Sequence, residues 1–137
     1  MALTTRTRLK PEIFDLPVEK MRAGWYTDAY FNHARDTLLQ DGRRPRVVMQ
    51  IFQKNDAWLG GMDEAIAILK LCANEVDGLE VRALHDGDRI EPWETVLTIE
   101  GDYTTFVHLE TPFSKGSKVE KPCGLILGCI SPARPLP

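Results

Sequence analysis

The chain has 137 residues, with 17 basic and 20 acidic side chains, a net charge of −3 and 43% hydrophobic residues. That size suits one domain with an ordinary core and excludes a complete α/β barrel, which takes about 250 residues. The acidic balance argues against nucleic acid as the main partner, and no apolar run reaches the ~20 residues of a membrane span. The basic N-terminus has no apolar core and does not read as a secretory signal, so a soluble, cytoplasmic protein is expected. The three cysteines, Cys72, Cys123 and Cys129, form no CxxC pair and lie near no histidine, and they read as reduced thiols.

Residues 1–14 have no periodicity and are expected to be a flexible lead-in, followed by a short turn from Phe14 to Met21. Thr27 suits a helix N-cap, with Asp28 in the first turn, and Tyr30, Ala34 and Leu38 recur at helical spacing until Asp41-Gly42. Arg46 to Gln53 alternates as a buried strand. Gly60-Gly61 then opens a helix whose apolar face is Met62, Ala65, Ile66, Leu69, Ala73 and Val76, closed by Gly78. Leu79 to Leu84 and Thr95 to Glu100 alternate as strands around a turn-rich connector, Asp86 to Glu94. Tyr103 to Leu109 reads equally as a strand or as the start of a helix. The fold class is α+β, a mostly antiparallel sheet with helices on one face, over a domain spanning 15–111.

Composition changes at 112–137. Five of the nine prolines fall there, with four basic residues and one acidic, and no regular period extends more than a few residues. Gly124 to Ile130 is apolar, but prolines around it and glycines within it weaken a strand reading. A linker, or a truncated or out-of-frame end, accounts for such a tail.

Motifs alone identify no enzyme. His33, His85 and His108 are scattered, no HExxH, GxSxG or phosphate-binding glycine loop is present, and no acid/base pair stands out. Two segments are distinctive. Gly24 to Phe31 opens a helix with a polar and aromatic cluster, read either as capping with ring packing or as a ring offered to a flat ligand beside helix N-terminal amides. Asp86 to Gly101 resembles the small β-rich module of biotinyl and lipoyl carriers, yet contains no lysine to modify, which rules against covalent cofactor carriage.

Taken together, the segments resemble the N-terminal domain of nicotinate phosphoribosyltransferases over roughly residues 15–112. The likeness rests on Thr27, Asp28 and Tyr30, on Val47 to Phe52, and on Gly61, Asp63 and Glu64. It continues through Asp86-Gly87-Asp88, Pro92 to Gly101 and Leu109-Glu110-Thr111. The resemblance implies an N-terminal sandwich followed by a barrel, in an enzyme joining nicotinate to phosphoribosyl pyrophosphate in NAD salvage, with Mg²⁺ and often ATP. It also implies a head-to-tail homodimer in which Tyr30 stacks on the pyridine ring and Asp28 shapes the pocket. This chain itself is expected to hold no cofactor or metal and no catalytic residue, and to be inactive without the barrel. Quinolinate phosphoribosyltransferase is the alternative, disfavoured because Thr111 follows Glu110 where that family carries an Arg. A non-catalytic interaction module reusing the fold is the rival from another class. The departure after Thr111 supports a truncated or out-of-frame tail.

Overall fold

A computed structural model describes residues 6–115 and 126–132. A 3-10 turn at Pro11–Ile13 and a short helix α1 (Val18–Arg22) lead into α2 (Ala29–Gln40), β1 (Arg46–Phe52), β2 (Ala57–Trp58) and α3 (Met62–Cys72). There follow β3 (Glu80–Ala83), β4 (Arg89–Ile90), β5 (Thr95–Asp102), 3-10 turns at Tyr103–Thr105 and Val107–Leu109, α4 (Glu110–Lys115) and β6 (Ile126–Pro132). The main sheet is antiparallel in the order β3-β5-β1-β6, and β2 pairs with β4 in a separate two-stranded ribbon. The expected α+β sandwich is therefore what forms, and no barrel occurs among the described residues.

The period-2 pattern of β1 decides the core. Val47, Met49 and Ile51 are buried, and their register sets Met49 opposite Ile99 and Ile51 opposite Leu97 on β5. Val81 and Ala83 of β3 extend the same rows, facing Ile99 and Leu97. Such directly opposed apolar pairs are the unit of sheet stabilisation. Ala65, Ile66, Ile68, Leu69 and Cys72 of α3 join the same cluster, with Met21 of α1, whose sulfur lies 3.8 Å from Cys72 Sγ. Each fully buried Ile or Leu contributes roughly 1.5–3 kcal/mol by leaving water.

Several boundaries differ from expectation for physical reasons. α3 stops at Cys72 rather than Val76, because Ala73 turns extended and the Asn74 N–H is drawn to the Thr105 carbonyl at 3.0 Å. Gly61 is the N-cap of α3 with φ 78°, and the helix's first amides are taken by a distant side chain. Asp86 accepts from Met62 N–H at 2.7 Å and from Asp63 N–H at 3.3 Å. Tyr103 to Leu109 is neither strand nor α-helix but two 3-10 turns, the first tightened by Asp102 accepting from the Thr104 amide at 2.9 Å.

The two ends of the chain hold more order than periodicity foretells. In the stretch expected to be a flexible lead-in, Arg8 donates to the carbonyls of Ala83 (2.7 Å) and Leu84 (3.0 Å) and pairs with Asp63 at 3.2 Å. The stretch expected to lack regular structure supplies β6, antiparallel to β1 with Met49 opposite Ile130 and Ile51 opposite Leu127. An apolar run can complete a strand edge despite its prolines when, as with Pro132 opposite Val47, the proline lies at the strand's end. Residues 1–5, 116–125 and 133–137, with Cys123 and the Gly124-Leu125 start of that apolar run, lie outside the described residues.

The turn before α2 contains a testable constraint. Gly24 has φ 83°, its carbonyl accepts from Asn32 Nδ2 at 3.0 Å, and a Cβ there would stand 2.9 Å from Asn32 Cγ. Gly24→Ala is expected to cost about 2 kcal/mol, from left-handed strain and the clash with Asn32. Urea unfolding checks it, and a loss below ~0.5 kcal/mol would mean that the turn relaxes freely.

Candidate functional site

The N-terminus of α2 meets the N-terminus of α4. Asp28, not Thr27, is the N-cap of α2, with φ −65° and ψ 141°, and its side chain caps no amide of that helix. Thr27 and Asp28 turn instead towards Thr111. The Thr27 hydroxyl donates to Thr111 Oγ1 at 3.2 Å, Asp28 N–H donates to the same oxygen at 3.4 Å, and the Thr111 hydroxyl donates to Asp28 Oδ2 at 3.4 Å. One threonine thus ties the two helix starts together.

Tyr30 rises from this junction with 61% of its surface exposed, one side of its ring leaning on buried Phe31 at a centroid distance of 4.1 Å. Glu110, the first residue of α4, is only 5% exposed, and its Oε2 has no hydrogen-bond partner. Burial pushes its carboxyl up to about 7, with the neighbouring Asp28 adding to the shift. Tyr103 stands edge-on to Phe106 at 5.8 Å, and its phenol is pushed up to about 12 by burial first, then by Glu110 and Tyr30. Asp28, Tyr30, Tyr103 and Glu110 thus lie near enough for the acids to disfavour one another's charge and that of the phenols, with Glu110 buried beneath the exposed Tyr30. Among the described residues no Lys, Arg or His is ion-paired to Asp28 or Glu110.

The two residues singled out by resemblance, Asp28 and Tyr30, are thus brought together. Glu110 and Tyr103 were not nominated. Glu110 lies within the Leu109-Glu110-Thr111 stretch that carried the resemblance, but no period or spacing marks it as buried.

The histidines do not assemble. His33 is exposed on α2, and His85 gives its backbone N–H to Asp88 Oδ2 at 2.8 Å. His108 is fully buried, with Nε2 3.1 Å from the Cys72 carbonyl, so Nε2 carries the proton; burial lowers its pKa and keeps the ring neutral. No group of three His, Cys, Asp or Glu among the described residues is arranged to hold a metal ion. No described helix is long and apolar enough to cross a membrane.

The other distinctive motifs serve the backbone. Asp86 caps α3, Gly87 turns with φ 89°, and Asp88 accepts from His85 and pairs with Arg6. In the Glu91–Glu94 turn Trp93 takes φ 68°, where Gly is usual, and its N–H donates to the Gln53 carbonyl at 2.7 Å. A cavity of about 350 Å³ beside Asp86, lined also by Arg6, Asp63 and His85, has its nearby helix amides already filled.

The architecture places the chain among the N-terminal domains of type II phosphoribosyltransferases. It is similar to the nicotinate-nucleotide pyrophosphorylase of Pyrococcus furiosus (27% identity, TM-score 0.60, 74% of this chain and 26% of that one). It also shares the fold of NadC from Streptococcus pyogenes (20%, 0.53, 74% and 35%) and of human nicotinic acid phosphoribosyltransferase (20%, 0.54, 64% and 24%). No curated protein matches the sequence. Residues 28–114 match the quinolinate phosphoribosyl transferase N-terminal domain, and the chain belongs to that family.

The chain covers between about a quarter and about a third of the length of these solved structures. The family match favours the quinolinate type over the nicotinate type, the reverse of the preference drawn from Thr111. β6 lies beyond the matched residues.

Proposed function

We propose that this chain acts as the N-terminal domain of a phosphoribosyltransferase that makes nicotinate mononucleotide in NAD biosynthesis, and that Tyr30 and Asp28 contribute to its pyridine site. The family match carries this reading, because it spans Asp28, Tyr30, Glu110 and Thr111, the residues that meet at the junction of α2 and α4. The family's name supplies quinolinate as acceptor, and the name of the Pyrococcus protein supplies a nicotinate nucleotide as product. Atom balance then defines the reaction. The ring nitrogen forms a bond to C1 of the ribose and pyrophosphate leaves with the electron pair of the C1–O bond; the carboxylate at position 2 departs as CO2, its bonding pair stays on ring carbon 2, and that carbon takes up one proton from solvent.

The domain's own contribution is placement. An exposed phenol ring on a fixed helix start offers a flat surface at little entropic cost, and holding the acceptor over C1 is worth more than any group this domain could donate. The exposure of Tyr30 suits a site shared across a head-to-tail dimer. Phosphoribosyl pyrophosphate, Mg²⁺ and ATP would be held by residues beyond this chain.

Nicotinate as acceptor is the second reading, favoured by one observation. Thr111, a neutral side chain, follows Glu110 where the resemblance implies that the quinolinate type carries an Arg for a second ring carboxylate.

The test supplies the full 137-residue chain with the barrel of the Pyrococcus protein stripped of its own N-terminal domain, and measures pyrophosphate release with each acceptor. The quinolinate reading expects one labelled CO2 per pyrophosphate. Turnover of nicotinate alone transfers the assignment to the second reading, and turnover of neither sinks both. In the same system Tyr30→Ala is expected to lower kcat/KM about tenfold, the loss of one ring–ring contact. Unchanged kinetics would remove Tyr30 from the site.

A further inference from the structure

The β2–β4 ribbon carries an aromatic knob beside an open hollow. Trp93 takes φ 68° in the turn between β4 and β5 and keeps 62% of its surface exposed. A left-handed backbone disfavours a side chain of this size, and an exposed indole recovers little from burial in return. Local contacts hold the ring without covering it. The Trp93 amide donates to the Gln53 carbonyl at 2.7 Å, Phe52 leans on the indole at a centroid distance of 5.4 Å, and Lys54 Nζ lies 6.0 Å from the ring centre. On β2, Trp58 is 63% exposed, with the Arg89 guanidinium 6.0 Å from its ring. A hollow of about 620 Å³ is lined by Asp56, Arg89, Ile90, Glu91 and Pro92, and so runs from the partner of Trp58 to the neighbour of Trp93. Exposed aromatic surface rimmed by charge marks a protein contact, and Trp and Arg dominate the energetics of such contacts. Arg89 is paired with Asp56 at 3.5 Å, whereas Lys54 and Glu91 have no ion-pair partner among the described residues.

We propose that this ribbon is a two-fold interface between copies of the chain, in which Trp93 of each copy enters the hollow of the other and Lys54 of each meets Glu91 of the other. Knob and hollow lie on one surface, so a two-fold axis satisfies both at once and closes the assembly at two. The hollow exceeds the volume of an indole side chain. Charge selects the same occupant. The rim carries Lys54 and Arg89 against Asp56, Glu91 and Glu94, so a partner of one sign would be repelled by half of it, while a second copy sets base against acid. The two indoles supply roughly 300 Å² of the roughly 800 Å² that a standard interface covers on each side, the rest coming from ribbon and turn. The unfavourable backbone angle of Trp93 is then the means of holding the ring out for its partner. None of this rests on the phosphoribosyl-transfer reading.

The experiment is sedimentation equilibrium of the full 137-residue chain between about 1 and about 300 µM, with a monomer–dimer midpoint expected on the order of 10 µM. Trp93→Gly should weaken association at least tenfold. At about 1 µM its melting temperature should stay within about 4 °C of the parent, because relief of the backbone offsets the lost Phe52 contact. Lys54→Glu and Glu91→Lys should each weaken self-association, since each sets like charges opposite one another, and an equimolar mixture of the two should recover it. A monomer throughout the range, a dimer that survives Trp93→Gly, or a mixture no tighter than its components would each overturn the inference. So would a monomer whose indole emission shifts when the Pyrococcus barrel is added, an outcome that would give this face to the rest of the enzyme. Failure of the barrel-supplemented transfer assay alongside dimerisation through Trp93 would remove the enzymatic reading and leave the interface standing.

Discussion

Between pH 4 and pH 8 the stability difference between Glu110→Gln and the parent chain is expected to grow by about 3 kcal/mol in favour of the variant. The carboxyl of Glu110 is raised from an ordinary 4.5 to about 7 in the folded state, chiefly by burial. Below pH 4.5 it is protonated whether the chain is folded or not, so its titration costs nothing. Above that value the unfolded chain loses the proton while the folded chain keeps it, and stability falls as pH rises until the folded carboxyl also ionises near pH 7. The shift is worth about 3 kcal/mol when fully expressed. Glutamine keeps the shape and cannot ionise, so its own stability should not carry this fall. Urea midpoints for both proteins at pH 4, 6 and 8 measure it, and parallel profiles would show that Glu110 ionises freely in the folded domain.

Phe106→Ala should be the most damaging single truncation, at about 3–5 kcal/mol. Phe106 is fully buried between the two 3-10 turns and stands edge-on to Tyr103. Its carbonyl accepts from Leu109 N–H at 2.9 Å, and its own N–H donates to the Tyr103 carbonyl at 3.3 Å. Removing the ring leaves a cavity that these tight turns cannot close by sliding, unlike a long helix. A domain of this size typically has about 5–15 kcal/mol of stability, so a large part would go, with a melting point lower by ten degrees or more, on the order of 4–8 °C per kcal/mol. A loss under ~1 kcal/mol would mean that the turns collapse onto the space. Because Phe106 supports Tyr103, the fluorescence of Tyr103 should report the loosening before global unfolding.

What could be read in advance, and what could not, follows from the range of the forces involved. β1 and α3 were legible because Val47, Met49 and Ile51 repeat every second residue and Met62, Ala65, Ile66 and Leu69 follow the helical turn. A one-sided core imposes those periods directly on sequence. Tyr103 to Leu109 was not legible. Its buried Thr104 and Thr105 satisfy their polar atoms locally, buried His108 donates from Nε2 to a backbone carbonyl while its Nδ1 has no partner, and 3-10 turns impose no apolar period. The cap of α3 escaped notice because Asp86 is 24 residues from Met62, whereas cap rules examine the adjacent residue. Trp93 runs against its own type, taking a backbone angle that sequence rules reserve for glycine. Of the candidate site, resemblance pointed to Asp28 and Tyr30. Glu110 was hidden because a carboxyl is scored as solvent-facing wherever it falls.

The bonds from Thr27 and Asp28 to Thr111 join residues 83 and 84 positions apart. Closing so long a loop brings little reward until the intervening sheet and α3 are in place, so this junction belongs among the last contacts to form. The Tyr30 face is therefore a property of the finished fold and is absent from any collapsed precursor that has only its strands paired. A molecule that binds there selects the fully folded population, and its stabilisation should appear in the slowest-exchanging amides of β1 and β5 as much as in α2. The same geometry makes the face an internal gauge of completeness: a chain that has lost the junction can keep its sheet and still have nothing to offer a ligand.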